Sequence, residues 1–297
     1  MNTKFQILTV ALSACMAISL SSCEKKAEQT ETKTEVLNIE SDEQAAALDT
    51  LLQVLPRPSN VPLLLERSGA EYDAALINPA SKVNSYFSDN AKAAVNLGVY
   101  LTDVSYMLTY DKALPAQEYI KAIKNLAEHI EVVDENTNKL LTDFEEKQKD
   151  KEALIAMVDK STESIRTMLL KTQKNALQAQ IMVGSFVEAL YVSTKLVETT
   201  GKGLSPADRN LLMVDLMRTI FDQKTTLNQI IKFLNAIEPK ESSASTLLNN
   251  LTPLKTEFDK FDVEEEIRKN DGKFVIESSS LKGISQSVEV IRANIVN

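Results

Sequence analysis

Few side chains in this chain have the type and spacing to do chemistry, and Cys23 is the first of them. It follows Leu20-Ser21-Ser22 at the end of an apolar run, the order that a lipobox takes. A lipobox Cys becomes the first residue of the mature protein and is acylated on its sulfur and on its amino group. The next candidates are Asp103 and Glu188, lone carboxylates in two stretches that are otherwise apolar. Two carboxylates on two buried helices could share a proton as an acid pair or hold a hard cation. Alternatively, each is satisfied by a Tyr hydroxyl or a basic side chain, since buried charges are usually paired. Lys224 or Arg218 is the cation expected to supply that partner. Asn96 lies roughly on one helical stripe with Lys92, Asp103 and Tyr100 or Tyr106, and adds an amide to the same polar set.

His129 is the only imidazole, and it falls on an amphipathic stretch. One imidazole without thiols does not build a typical zinc site. A Ser-His-Asp triad would need His129 as its base, and no Gly-x-Ser-x-Gly elbow accompanies it. No catalytic constellation, metal site or cofactor is expected, and an enzyme is not the leading reading.

The amino-terminal residues have the parts of a secretory signal. Lys4 is the positive head, residues 5–20 are apolar, and Ser19, Ser21 and Ser22 are the small residues before the cut. The run is short and Ser-rich against the roughly 20 residues of a membrane span. Of the two cysteines, Cys15 leaves with residues 1–22 and Cys23 is consumed by lipid, so the mature chain is expected to have no thiol and no disulfide. One acyl chain binds a bilayer marginally, at about 0.8 kcal/mol per buried CH₂, but two or three anchor stably. Residues 24–35 are polar and mixed in charge, so 23–40 reads as a lipidated Cys followed by a tether. Twelve such residues span about 20 Å on average and reach about 40 Å at most. Glu24 rather than Asp fits sorting to the outer membrane of a Gram-negative cell envelope.

The remaining residues, 41–297, read as one all-α domain. Seven Gly, eight Pro and no Trp leave too little turn chemistry for a sheet protein. Net charge is −9, and becomes −10 (32 basic against 42 acidic side chains) once residues 1–22 and Lys4 are gone. Such a surface, without a basic block, is a poor match for nucleic acid.

A multi-helix bundle or helical array of about nine to eleven helices is expected. Ser41 opens a first helix with Gln44 in a capping box, and 56–62, with three prolines, breaks it. Short segments follow over 63–68, ended by Gly69, and over 72–77, ended before Pro79. Asp89 caps a helix over 90–110 whose apolar residues go nearly all the way round, the pattern of a buried central helix. Helices are predicted from Pro115 to His129 or Val133, over 136–149, and over 151–200 with a break near Asn175. Gly201 stops that stretch, and Ser205-Pro206-Ala207-Asp208 starts a helix to about Asn235, with a kink considered near Asp222. Two more run over 242–261 and 280–295, separated by an Asn270-Asp271-Gly272 turn and a strand-like Phe274-Val275-Ile276. Gly98 and Gly184 fall inside helices, where Gly costs about 1 kcal/mol relative to Ala, so each is expected to mark a close helix–helix approach.

Several stretches carry a resemblance. Pro58-Ser59-Asn60-Val61-Pro62, Gly69-Ala70-Glu71-Tyr72, Asn78-Pro79, and Asn96-Leu97-Gly98-Val99-Tyr100 through Asp103-Val104-Ser105-Tyr106 resemble a family of bacterial cell-envelope lipoproteins. Residues 184–191, the Gln223-Lys224 pair and Ile291-Arg292 also fit, so the likeness runs from about residue 50 to the end. Ser185 stands where that family often has a second Gly. The resemblance implies a helical, exported, lipid-anchored protein with a break before the helix of Gly184. It brings no activity and so transfers no catalytic residues. The expected function is that of a lipid-anchored structural or protein-interaction module with an envelope protein as partner. The alternative is a solute- or ion-binding protein using a groove near Asp103 and Glu188.

Overall fold

The computed structural model describes residues 60–67, 69–133, 135–147, 150–172, 174–200, 205–237, 242–262 and 281–297, with 265, 268 and 269. The expected signal peptide, Cys23, the expected tether, the helix expected from Ser41, Gly201, the expected 270–272 turn and the triplet 274–276 lie outside them. Among the described residues the fold is all-α. Its helices are α1 (Asn60–Arg67), α2 (Asn90–Thr109), α3 (Ala113–His129), α4 (Glu135–Glu146), α5 (Lys151–Lys171), α6 (Asn175–Thr199), α7 (Pro206–Ala236), α8 (Ser242–Asp259) and α9 (Lys282–Val296). A 3-10 helix, Ala80–Tyr86, precedes α2.

Helix starts follow their caps. Asp89 accepts from the N–H groups of Ala91 and Lys92, Asp150 from that of Ala153, and Ser205 from that of Asp208 with Pro206 behind it. Helix ends show why so few glycines suffice. Gly69, Asp111 and Glu131 all take positive φ, at 72°, 58° and 59°. After each, an N–H reaches back five residues, from Ala70 to Leu65, Lys112 to Met107 and Val132 to Ala127. These are Schellman closures, two of them built on acidic residues.

The expected break near Asn175 is present: α5 ends at Lys171 and α6 begins at Asn175. Three expectations need correction. α1 begins at Asn60, so Pro62 lies in its first turn, where a missing N–H costs no helix bond. Residues 72–77 form turns rather than a regular segment, and the 3-10 helix follows where none was expected. α7 runs as a single α-helix through Asp222.

α2 and α6 form the centre. α2 is buried from Ala93 to Thr109, with α3 and α5 packed against it, and α6 buries residues around its whole circumference, packed against α2, α5, α7, α8 and α9, while α4 lies outside on α3 and α5. The two central helices meet at their glycines. A Cβ on Gly98 would stand 2.0 Å from the Ile181 carbonyl oxygen, and one on Gly184 would stand 1.9 Å from that of Val95. Across this crossing the Ser185 hydroxyl donates to the Gly98 carbonyl at 3.0 Å and the Thr102 hydroxyl to the Ser185 carbonyl at 3.3 Å. The backbones approach closely only because both positions lack a side chain.

Candidate functional site

The close crossing of α2 and α6 brings Asp103 and Glu188 together. Both are 0 % exposed, and their carboxyls are close enough to act on each other. Asp103 Oδ2 accepts the Asn78 backbone N–H at 3.1 Å, while Oδ1 is buried and receives no donor. A proton on one acid relieves the repulsion between two buried carboxylates, and Oδ1 is the oxygen free to carry it. Burial, and after it the neighbouring Glu188, push the Asp103 carboxyl well above its usual range. Arg292 and the Asn78 N–H pull the other way and are outweighed.

The cation is Arg292, from α9. Its Nε donates to Glu188 Oε2 at 2.7 Å and its Nη2 to Oε1 at 2.8 Å, a two-pronged pair. The same Nη2 donates to the Leu76 carbonyl at 2.8 Å, and the guanidinium lies 4.1 Å from the centre of the Tyr191 ring. Burial alone would lower its pKa, but the pair with Glu188, reinforced by Asp103, outweighs it and the pKa is raised. The cluster therefore pairs Glu188 with Arg292 and favours the protonated form of Asp103 beside them.

The wider stripe on α2 explains what the cluster holds. Tyr100 donates to the Pro79 carbonyl, Tyr106 accepts from the Asp73 N–H, and Tyr110 donates to the Ala70 carbonyl, at 2.8–2.9 Å. With Asp103 these residues recur at helical spacing down one face and satisfy the backbone of the irregular segment 70–79. At the other end of the stripe, Asn96 Nδ2 donates to the Ile295 carbonyl and Lys92 Nζ to that of Asn297. Tyr86 joins both halves, with its hydroxyl on Val296 and Asn78. Burial pushes the Tyr106 phenol up to about 12.

Asp103, Glu188 and Asn96 thus belong to one connected polar lattice. Lys224 does not. It pairs with Asp259 of α8 at 3.0 Å, and Arg218 is exposed on the same helix, so neither expected cation reaches the acids. Neither acid lines the cavities of about 1050, 710 and 40 Å³, although Thr102 and Ala189, next to them in the chain, line the smallest. His129 is exposed, with its ring 5.2 Å from that of Phe87. No group of three metal-ligating side chains occurs among the described residues.

Sequence reasoning missed Arg292 as the partner, and Asn78 and Leu76 as backbone contacts. The signal for Arg292 was its place on α9, one residue from the apolar Ile291 and four from Val288. Compared with models of known families, with curated proteins and with solved structures, the chain matches none.

Proposed function

We propose that this protein is a lipid-anchored cell-envelope lipoprotein that works as an interaction module, held to the membrane through Cys23 and meeting its partner through its surface. The resemblance to envelope lipoproteins agrees with this reading. The observation that carries it is the lipobox Leu20-Ser21-Ser22-Cys23 behind an apolar run. Two structural features support the surface role. Glu188 is paired with Arg292, and Asp103 accepts from the Asn78 N–H of the segment 70–79, so both acids are engaged within the fold. Among the described residues no helix is long and apolar enough to cross a membrane. The acidic composition favours a protein partner over nucleic acid.

The test is metabolic labelling with radioactive palmitate followed by envelope fractionation, then mild crosslinking in intact cells, comparing wild type with Cys23→Ala. Label and a crosslinked partner confined to wild type are the expected result. Absence of label on the wild-type chain would overturn the anchor, and absence of any crosslinked species would overturn the interaction module.

A further inference from the structure

A cleft of about 1050 Å³ opens where the first turns of α2 and α6 meet the first half of α8 and the last turn of α9. That is the upper end of the roughly 300–1,000 Å³ usual for ligand sites. Each of these four helices contributes a carboxamide: Asn90 from α2, Asn175 and Gln180 from α6, Asn250 from α8, and Asn294 from α9. Gln180 is 3 % exposed, and its Nε2 is buried without a hydrogen-bond partner. An unmade donor at that depth is costly, and an acceptor entering the cleft is the group that can complete it.

The charges at the cleft are already engaged. Lys174 donates to Glu131 at 3.3 Å and to the Ile130 carbonyl at 3.2 Å. Asp89 caps α2, and Lys92 reaches the Asn297 carbonyl oxygen. Two basic and two acidic side chains cancel, so a free anion is a poor match. None of the described lining residues is aromatic, so a sugar ring has no platform to stack on. What remains is uncharged hydrogen bonding between apolar steps. On α8 this surface recurs as Ser243, Thr246, Leu247 and Asn250, one helical face about 10 Å long, or about three extended residues.

We propose that this cleft binds an extended peptide segment of a partner protein, its backbone paired by the side-chain amides. A carboxamide offers one carbonyl acceptor and an NH₂ donor, the complement of a peptide group, so it reads main chain whatever the sequence. Val95, Leu177, Leu247 and Ile295 then meet the segment's side chains. This names how the interaction module would hold its partner, and so rests on that reading.

The experiment presents full-length protein in detergent micelles with an equimolar library of acetylated, amidated hexapeptides. Retained peptides are identified by mass spectrometry and titrated singly, with chitotetraose and inorganic phosphate as comparison probes. Retention of a peptide subset is expected, with Asn250→Ala and Gln180→Leu each weakening binding about tenfold at unchanged melting temperature, the worth of one hydrogen bond. If Gln180→Leu fails to fold, Asn250→Ala decides alone. No retained peptide, affinities unmoved by the variants, or binding of chitotetraose or phosphate in place of peptide would each overturn the proposal. Peptide binding in micelles does not depend on acylation, so a failed Cys23 anchor and a failed cleft are separate results.

Discussion

At the residue scale, the surroundings of Asp103 favour its acid form over the carboxylate. Asn is the natural mimic of a protonated Asp: its Nδ2 can donate to Glu188 while its oxygen accepts the Asn78 N–H. Asp103→Asn is therefore expected to fold with undiminished stability near neutral pH, measured by urea unfolding. The pH dependence has a definite sign. The folded pKa of Asp103 is raised above its ordinary 3.8, so its contribution to stability is complete below that value and drains away as pH climbs through the folded pKa. The variant lacks this loss. Its advantage over wild type should widen as pH rises above 3.8, and a variant uniformly weaker than wild type would mean that Asp103 is ionised when folded. Arg292→Met should behave oppositely. It strands a buried Glu188 charge and frees the Leu76 carbonyl, which is expected to cost about 3–5 kcal/mol in the same assay. The two acids were legible in the sequence because a carboxylate in an apolar helix demands a reason. Their partner was not, because Arg292 lies 104 positions from Glu188 and only the packing of α9 against α6 brings it there.

At the element scale, glycine carries opposite meanings at three helical positions. Gly98→Ala and Gly184→Ala each drive a methyl group into the other helix's backbone, which cannot step aside. Each should cost at least about 3 kcal/mol, read as a lowered urea midpoint, although Ala is ordinarily the better helix former. Gly283→Ala on α9 meets only the Glu257 side chain, which can rotate away, so it should stay within about 1 kcal/mol of wild type. A Gly98→Ala variant as stable as Gly283→Ala would mean that the central helices slide apart readily. Helix ends offer a gain instead. Glu131 holds a left-handed conformation that a Cβ disfavours by about 1–2 kcal/mol, and its exposed pairing with Lys174 returns little. Glu131→Gly should therefore raise stability by up to about 1 kcal/mol in thermal melts. Helix starts at Asp89 and Ser205 and the break at Asn175 were readable, because caps and breaks act through neighbours in sequence. The segment 70–79 was not, because the donors and acceptors that satisfy its backbone come from α2 and α9.

At the scale of the whole molecule, the proposed anchor and the net charge make separable predictions. A chain that carries −10 from Cys23 onward gains nothing electrostatically from an anionic bilayer. Lipidated protein should stay on anionic vesicles in about 1 M salt, where surface charges are screened within about 3 Å, and Cys23→Ala protein should not sediment with vesicles at any salt. Release of the lipidated form by salt would point to a basic contact surface instead. The chain alone determined the all-α class, the phase of most helices and the caps at Asp89 and Ser205. Its lipobox also sets the expectation of a lipid anchor. These depend on periodicity and on residues a few positions apart, which the backbone makes neighbours in any all-helical arrangement. Tertiary structure alone decided that two glycines let α2 and α6 touch, that Asp103 and Glu188 are buried as neighbours, and that Arg292 pairs with Glu188. It also decided that four distant helices turn their amides into one cleft. Buried polar groups take whichever partner the packing delivers, and no local rule of sequence specifies which helix will arrive.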